Sequence, residues 1–177
     1  MYFDELKSAM TWLANHEDTL FLGQAVSVPG TAMSTTLQTL APEKLIELPV
    51  AEEMQMGISV GLAIDGFVPI SIFPRWNFLL LGMNQLINHL DRMPQISNNG
   101  YPTKVIIRTS IGSERPLHPQ SQHVGDFSEA IAMMLNNTDV VTLEDPAEIL
   151  PAYRYAYERT DGRSTILAEY GDFYSEK

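Results

Sequence analysis

Apolar residues follow two alternating patterns along the chain. In the first segment Phe3, Leu6, Met10 and Leu13 recur at the spacing of one helical face, and comparable segments return farther along. Between them lie short, mostly apolar runs, which are typical of strands buried on both faces. The patterns predict helices at residues 3–14, 51–64, 78–93, 127–135 and 146–157, and strands at residues 19–23, 45–48, 68–73, 104–108, 140–143 and 165–168.

Strands that alternate with helices predict an α/β fold. We expect a single three-layer domain, with a mostly parallel sheet and helices on both faces. The 177 residues suffice for one full hydrophobic core and contain no low-complexity linker, so residues 1–177 are predicted to form one domain. In such sheets ligands bind beyond the carboxyl ends of the strands. The loops after Leu48, Phe73 and Arg108 are therefore predicted to contain the ligand-binding and catalytic residues.

Composition and charge exclude several classes of function. The net charge of -11 argues against nucleic-acid binding and against a polybasic membrane anchor. The chain has no cysteine, so it has neither disulfides nor a thiolate zinc site. Its N-terminus lacks a secretory signal pattern, and its longest apolar run, near residues 78–83, is too short to cross a bilayer. We expect a cytoplasmic protein.

A pair of carboxylates marks the point where the second predicted strand meets the next helix. Glu52 and Glu53 precede a helix rich in small residues, which allow close packing against a neighbouring element. The helix dipole alone favours acidic residues in a first turn, so these residues by themselves leave a purely structural explanation open. Adjacent side chains differ by about 100° around a helix, so Glu52 and Glu53 cannot both face one site.

Several short motifs follow one another in order over residues 19 to 170. The motifs are Pro49-Val50-Ala51-Glu52 with Gly57-Ile58-Ser59-Val60-Gly61-Leu62-Ala63, Gly66-Phe67-Val68-Pro69-Ile70, Phe73-Pro74-Arg75-Trp76-Asn77-Phe78, Asn84-Gln85-Leu86-Ile87-Asn88, Asn98-Asn99-Gly100, and Pro102 with Val105-Ile106-Ile107-Arg108. Together they resemble the pyrimidine-binding domain of transketolase-like thiamine-diphosphate enzymes, most closely the beta subunits of the 2-oxo acid dehydrogenase decarboxylase components.

The resemblance implies roles for three residues toward thiamine diphosphate. Glu52 matches the glutamate that hydrogen-bonds the ring nitrogen N1′ of the aminopyrimidine and trades a proton there, which activates the cofactor. Phe78 matches the aromatic residue that stacks on the aminopyrimidine, and Trp76 lies beside it in the same motif. Without the resemblance, Phe78 would be taken for a core residue at a helix start.

The loop at residues 111–123 carries the remaining candidate chemistry. The resemblance places a catalytic histidine there, facing the substrate, and either His123 or His118 fits, depending on the register. A surface histidine without a task is the competing explanation for both. Arg75, Arg115 and Arg108 could provide a positive field for a small anionic ketose or 2-oxo acid, or could equally be ordinary surface charges.

The sequence lacks the family's Gly-Asp-Gly motif, which holds Mg²⁺ and the cofactor's diphosphate. The nearest segments are Ile64-Asp65-Gly66 and Thr160-Asp161-Gly162. The resemblance therefore implies no metal site here, no diphosphate-binding domain and no C-terminal transketolase domain. It implies an alpha-like partner chain that carries Gly-Asp-Gly, in a heterotetramer. The alternatives are a non-catalytic scaffolding or regulatory module of this fold, or an unrelated doubly wound domain.

Overall fold

One six-stranded sheet forms the centre of the molecule. The computed structural model describes residues 1–112 and 118–175. All strands are parallel, in the order β2-β1-β3-β4-β6-β5. Their bounds are β1 Thr19–Gly23, β2 Leu45–Glu47, β3 Val68–Ile72, β4 Ile106–Ile111, β5 Thr138–Leu143 and β6 Ser164–Tyr170.

The helices cover both faces of this sheet. Short 3-10 turns occur at Pro42–Lys44, Leu80–Gly82, Gln120–Gln122 and Gly171–Ser175, and a π-helical turn at Gln85–Leu90. The α-helices are α1 Tyr2–Ala14, α2 Ala32–Thr35, α3 Glu52–Ile64, α4 Trp76–Leu79, α5 Met93–Ile96, α6 Ser128–Ala132 and α7 Pro146–Glu158.

Two apolar cores lie on opposite sides of the sheet. Residues of α1, α2 and α7 pack on one side, and residues of α3, α6 and the segment 76–90 pack on the other. Successive strand residues alternate between them: Ile106 joins the first core and Ile107 the second, as Leu167 and Ile166 do in β6. The prediction of a three-layer domain built on a parallel sheet is confirmed.

The single long helix predicted for residues 78–93 is found only in part: helical turns run without a break from Trp76 to Leu90, but their pitch changes along the segment. Gly82 lies against α3 so closely that a Cβ would come within 3.2 Å of the carbonyl oxygen of Glu52. The amide of Asp91 bonds the carbonyl of Leu86, five residues back, at 2.9 Å. Pro94 then removes a further intrahelical donor. The observed pieces are α4, the turn Leu80–Gly82, the turn Gln85–Leu90 and α5.

Two strands extend farther toward their carboxyl ends than their apolar residues predict. β4 continues through Ser110 and β6 through Glu169, although these positions are polar. The reason is a buried ion pair: Arg108 Nε and Nη2 donate to the two carboxylate oxygens of Glu169 at 2.5 and 3.1 Å, and both side chains have no exposure. Both alternatives for Arg108, a positive field for a substrate and an ordinary surface charge, are therefore wrong, because its charge is buried and paired inside the protein.

Further hydrogen bonds surround this ion pair. The hydroxyls of Tyr153 and Tyr174 donate to Glu169 at 2.7 and 2.5 Å, and Arg108 Nη1 donates to Thr36 at 2.8 Å. Burial, and then the charge of Glu169, hold the pKa of Tyr153 and of Tyr174 well above the ordinary value. The cluster thereby joins β4 and β6 to α7, to the residue after α2 and to the C-terminal turn.

No helix in residues 1–112 and 118–175 is both long enough and apolar enough to span a bilayer.

Candidate functional site

A small pocket opens where the loops after β1, β2 and β3 meet, at the carboxyl edge of the sheet. Its volume is about 10 Å³, which is room for roughly one water molecule. This is the edge where parallel sheets bind ligands. The lining residues are Gln24, Pro49, Ala51, Glu52, Gln55, Phe73, Pro74 and Phe78.

Glu52 is the carboxylate of this pocket. It begins α3, and only 9% of its surface is exposed. Glu53, by contrast, is exposed and accepts long hydrogen bonds from Asn84 and Gln85 at 3.3 and 3.4 Å. The two adjacent carboxylates therefore lie in different surroundings, and Glu52 is the one that lines the pocket.

Gln55 anchors the first turn of α3, a role that the sequence analysis missed. Its side chain is 2% exposed, and its Nε2 donates to the carbonyl of Ile72 at 2.9 Å and to Ser71 Oγ at 3.1 Å. A longer contact of 3.4 Å reaches the carbonyl of Leu22. Since Gln55 lies three residues after Glu52, the two share a helix face. Gln55 therefore fixes the start of α3, and with it Glu52, over the ends of β1 and β3.

Gly23 makes this close packing possible. A Cβ at Gly23, the last residue of β1, would lie 2.5 Å from the carbonyl oxygen of Ile72 and 3.3 Å from Nε2 of Gln55. Only glycine leaves room for that backbone approach. The sequence shows a glycine at the end of β1, but the neighbouring residues do not indicate that Ile72 and Gln55 pack against it.

The aromatic residues predicted to bind the cofactor occupy different surroundings. Phe78 is half-buried and lines the pocket together with Glu52. Trp76 is fully buried in the core beside Leu79 and Leu86, and its Nε1 has no hydrogen-bond partner among the described residues. Trp76 therefore presents no surface to a ligand in this conformation, whereas Phe78 does.

The structure distinguishes the two loop histidines. The ring of His123 lies against the ring of Phe78, with centroids 5.1 Å apart and planes inclined by 35°. His118 is exposed, and its Nδ1 accepts the backbone N–H of Gln120 at 3.0 Å. His123 is thus in contact with a pocket residue, Phe78.

Arg75 contacts the same loop. Its Nη1 donates to the carbonyl oxygen of His123 at 2.9 Å, and burial lowers the pKa of this half-buried guanidinium. Arg115, the other arginine predicted to bind substrate, lies outside the described residues.

The loop that follows β1 is held by Glu47, at the end of β2. The carboxylate accepts backbone N–H groups of Ala25, Val26 and Ser27 at 2.6 to 2.8 Å, and Ser27 Oγ at 3.1 Å. Burial alone would raise the pKa of Glu47, but these hydrogen bonds outweigh it and lower the pKa below the ordinary value. Because Gln24 directly precedes these donors, Glu47 fixes one wall of the pocket.

Glu47→Gln is expected to lower the melting temperature at neutral pH and to have a smaller effect in acid. The folded-state pKa is lowered, so the stabilisation is fully present above the unfolded value of about 4.3 and is lost as pH falls through the lower folded value. Thermal unfolding of the wild type and the variant from about pH 7 to about pH 3 measures the difference between their melting temperatures. Glu43→Gln, an exposed carboxylate nearby, is the control. A difference in melting temperature that is as large at about pH 3 as at about pH 7 would contradict the role assigned to the Glu47 carboxylate.

The described residues contain no group of three or more histidine or acidic side chains placed to hold a metal ion.

A six-stranded parallel sheet with a pocket at its carboxyl edge is the architecture in which α/β domains bind ligands. Residues 5–171 match the family model described as the pyrimidine binding domain of transketolase. Since the match covers nearly the whole chain, the chain belongs to this family of thiamine-diphosphate enzymes, as the motifs predicted.

Curated relatives include beta subunits of 2-oxo acid dehydrogenases. The chain is 28% identical over 136 residues to the pyruvate dehydrogenase E1 component subunit beta of Gracilaria tenuistipitata var. liui, covering 74% of this chain and 42% of that protein. It is 25% identical over 115 residues to the 2-oxoisovalerate dehydrogenase subunit beta of Bacillus subtilis (strain 168), covering 63% of this chain and 35% of that protein. The chain thus spans less than half of the length of these relatives.

Solved structures of transketolases share the fold. A split-gene transketolase, described as an inactive beta4 tetramer, superposes with a TM-score of 0.74 at 15% identity, covering 97% of this chain and 51% of that one. The transketolase of Campylobacter jejuni subsp. jejuni NCTC 11168 gives 0.73 at 16% identity, covering 94% of this chain and 25% of that one. At these identities the likeness establishes the fold alone.

Proposed function

We propose that this chain is the pyrimidine-binding subunit of a split thiamine-diphosphate enzyme of the transketolase or 2-oxo acid decarboxylase/dehydrogenase type. One observation carries the proposal: a nearly buried carboxyl group, Glu52, and an aromatic ring, Phe78, line one pocket at the carboxyl edge of the sheet. A hydrogen-bonding carboxyl beside a flat apolar ring matches the chemistry of an aminopyrimidine. The residues present therefore fit that end of the cofactor.

Three residues of the pocket then have a task. Glu52 would exchange a proton with ring nitrogen N1′ through its carboxyl group, while Gln55 keeps the first turn of α3 in place. Phe78 offers an aromatic face that orients the ring. When bound, thiamine diphosphate supplies the carbanion chemistry at its thiazolium carbon. His123, beside Phe78, is the group that we assign to the substrate side of the site.

The rest of the site is assigned to another chain. This sequence has no Gly-Asp-Gly, and its pocket alone encloses room for about one water molecule, so a second chain has to complete the space around the ring. We therefore assign Mg²⁺ and the diphosphate to an alpha-like partner that carries Gly-Asp-Gly, in a heterotetramer. The substrate class is a small anionic ketose or 2-oxo acid.

The chain alone is expected to bind thiamine diphosphate weakly or not at all, because it supplies only the aminopyrimidine wall. Titration calorimetry with thiamine diphosphate and Mg²⁺ tests this, first on the purified chain and then with a Gly-Asp-Gly partner that copurifies with it. Tight binding and turnover are expected only in the second case. Tight, metal-dependent binding by the isolated chain contradicts the proposal, and a complex that binds the cofactor without turnover favours a non-catalytic module.

A further inference from the structure

Arg75 and Phe78 contact the same residue from one short helix. Arg75 immediately precedes α4, and Phe78 lies three residues later, so both reach the loop that carries His123. Arg75 Nη1 donates to the main-chain carbonyl of His123 at 2.9 Å, and Phe78 packs on its imidazole with a centroid distance of 5.1 Å. One contact holds the backbone of His123 and the other holds its side chain.

The segment that precedes Arg75 is hydrogen-bonded to β4. Ser110 Oγ, near the end of β4, donates to the carbonyl of Pro74 at 2.8 Å, and the amide of Phe73 donates to the carbonyl of Arg108 at 2.9 Å. These bonds continue the β3–β4 pairing up to the residue before Arg75. The guanidinium therefore projects from a segment fixed to the sheet rather than from a free loop.

The loop itself returns closely to the strand that it leaves. A Cβ at Gly112 would overlap the Cα of Val124, so only glycine permits this approach. The residue next to His123 is therefore packed against the chain just after β4. The Gly112–Val124 contact and the Arg75 hydrogen bond together fix the position of the His123 backbone, and with it the position of the imidazole.

The imidazole has a polar atom left for another molecule. Nδ1 of His123 is buried and has no hydrogen-bond partner among the described residues. A buried polar atom without a partner is costly and usually marks a group whose partner is supplied from elsewhere. The Arg75 bond goes to the backbone carbonyl, so it leaves Nδ1 of His123 available.

We propose that Arg75 is a positioning residue: it holds the backbone of His123 so that the imidazole stays against Phe78 beside the pocket. The inference rests on the proposed function, because it assigns His123 to the substrate side. It replaces the earlier interpretation of Arg75 as a direct ligand of an anionic substrate. The guanidinium is already used in the free chain, on a carbonyl oxygen within the protein.

The first test needs no activity. Nuclear magnetic resonance of the isolated full chain follows the ring protons of His123, assigned by their loss in His123→Ala. Phe78→Leu shows how far the chemical shifts of the His123 ring protons change when the neighbouring aromatic ring is removed. Arg75→Met, which keeps the aliphatic stem, is expected to produce most of that change, and Arg75→Lys only part of it. Arg154→Met, which removes an arginine that lies over Trp12, is the control. Unchanged His123 signals in Arg75→Met overturn the proposal.

The second test separates positioning from substrate binding. In the assembled complex, Arg75→Met is expected to lower kcat by about ten- to a hundred-fold, the size of effect that misplacement of a reacting group produces. KM should change by less than about threefold. The same change on a His123→Ala background should cause no further loss. A raised KM with kcat retained would make Arg75 a substrate ligand and overturn the proposal. If every complex is inactive, the proposed function fails, and the resonance experiment still decides the role of Arg75.

Discussion

Replacing Glu52 by Gln is expected to lower the turnover of the assembled enzyme by about a hundred- to ten-thousand-fold, the usual cost of losing a general acid/base group. Glutamine keeps the size of the side chain and can still hydrogen-bond, but it has no carboxyl proton to exchange. Since Glu52 lies at a pocket surface, the fold should tolerate the change. Steady-state kcat and circular dichroism of the same preparation measure the two effects.

Glu53→Gln is the matched control for this prediction. The two glutamates are adjacent, but Glu53 is exposed and contacts Asn84 and Gln85 outside the pocket. We expect the Glu53 variant to retain most of its activity. A larger loss in Glu53→Gln than in Glu52→Gln would show that the motif register is wrong.

Glu169→Gln is expected to lower the free energy of unfolding by about 3–5 kcal/mol, the usual cost of leaving one charge of a buried ion pair without its partner. The change leaves the fully buried guanidinium of Arg108 without a carboxylate. It also removes the charged acceptor for the hydroxyls of Tyr153 and Tyr174. Urea denaturation of the isolated chain measures the loss.

A double variant distinguishes the ion pair from simple packing. Arg108→Met combined with Glu169→Gln removes the unpaired charge and should recover part of the lost stability. Glu17→Gln, an exposed carboxylate, should change stability by less than about 0.5 kcal/mol. Glu169→Gln with an effect as small as that of Glu17→Gln would contradict the role assigned to the cluster.

Hydrophobic patterning predicts this fold well wherever burial alone decides the structure. The strands at Thr19–Gly23 and Val68–Ile72 and the helix at Glu52–Ile64 lie within a residue or two of their predicted bounds. The ends of β4 and β6 were missed because Ser110 and Glu169 are polar, and their burial depends on partners distant in the sequence.

Helices were predicted less well where a tertiary contact sets the geometry. The segment after Phe78 has a helical pattern and is helical as far as Leu90, but its pitch changes near the contact of Gly82 with Glu52, and it is interrupted before Pro94. The short helix Ala32–Thr35 has too few apolar positions to show a period. Reciprocal hydrogen bonds between Thr31 and Ser34 cap it.

The candidate site was predictable as far as its motifs extend. They identified Glu52 and Phe78, which the structure brings to one pocket. They did not identify Gln55, although a polar residue three positions after Glu52 on a buried helix face was the available signal. Neither did they separate His123 from His118, because only the folded loop shows which ring meets Phe78.

The central claim is that Glu52 exchanges a proton with the aminopyrimidine of thiamine diphosphate. The most direct measurement is the rate of deuterium exchange at the thiazolium carbon of the cofactor in the assembled complex. It compares the wild type with Glu52→Gln and Glu53→Gln. Our account predicts fast exchange in the wild type and Glu53→Gln, and exchange slowed by about a hundred-fold or more in Glu52→Gln. Undiminished exchange in Glu52→Gln, or exchange abolished only in Glu53→Gln, would contradict it.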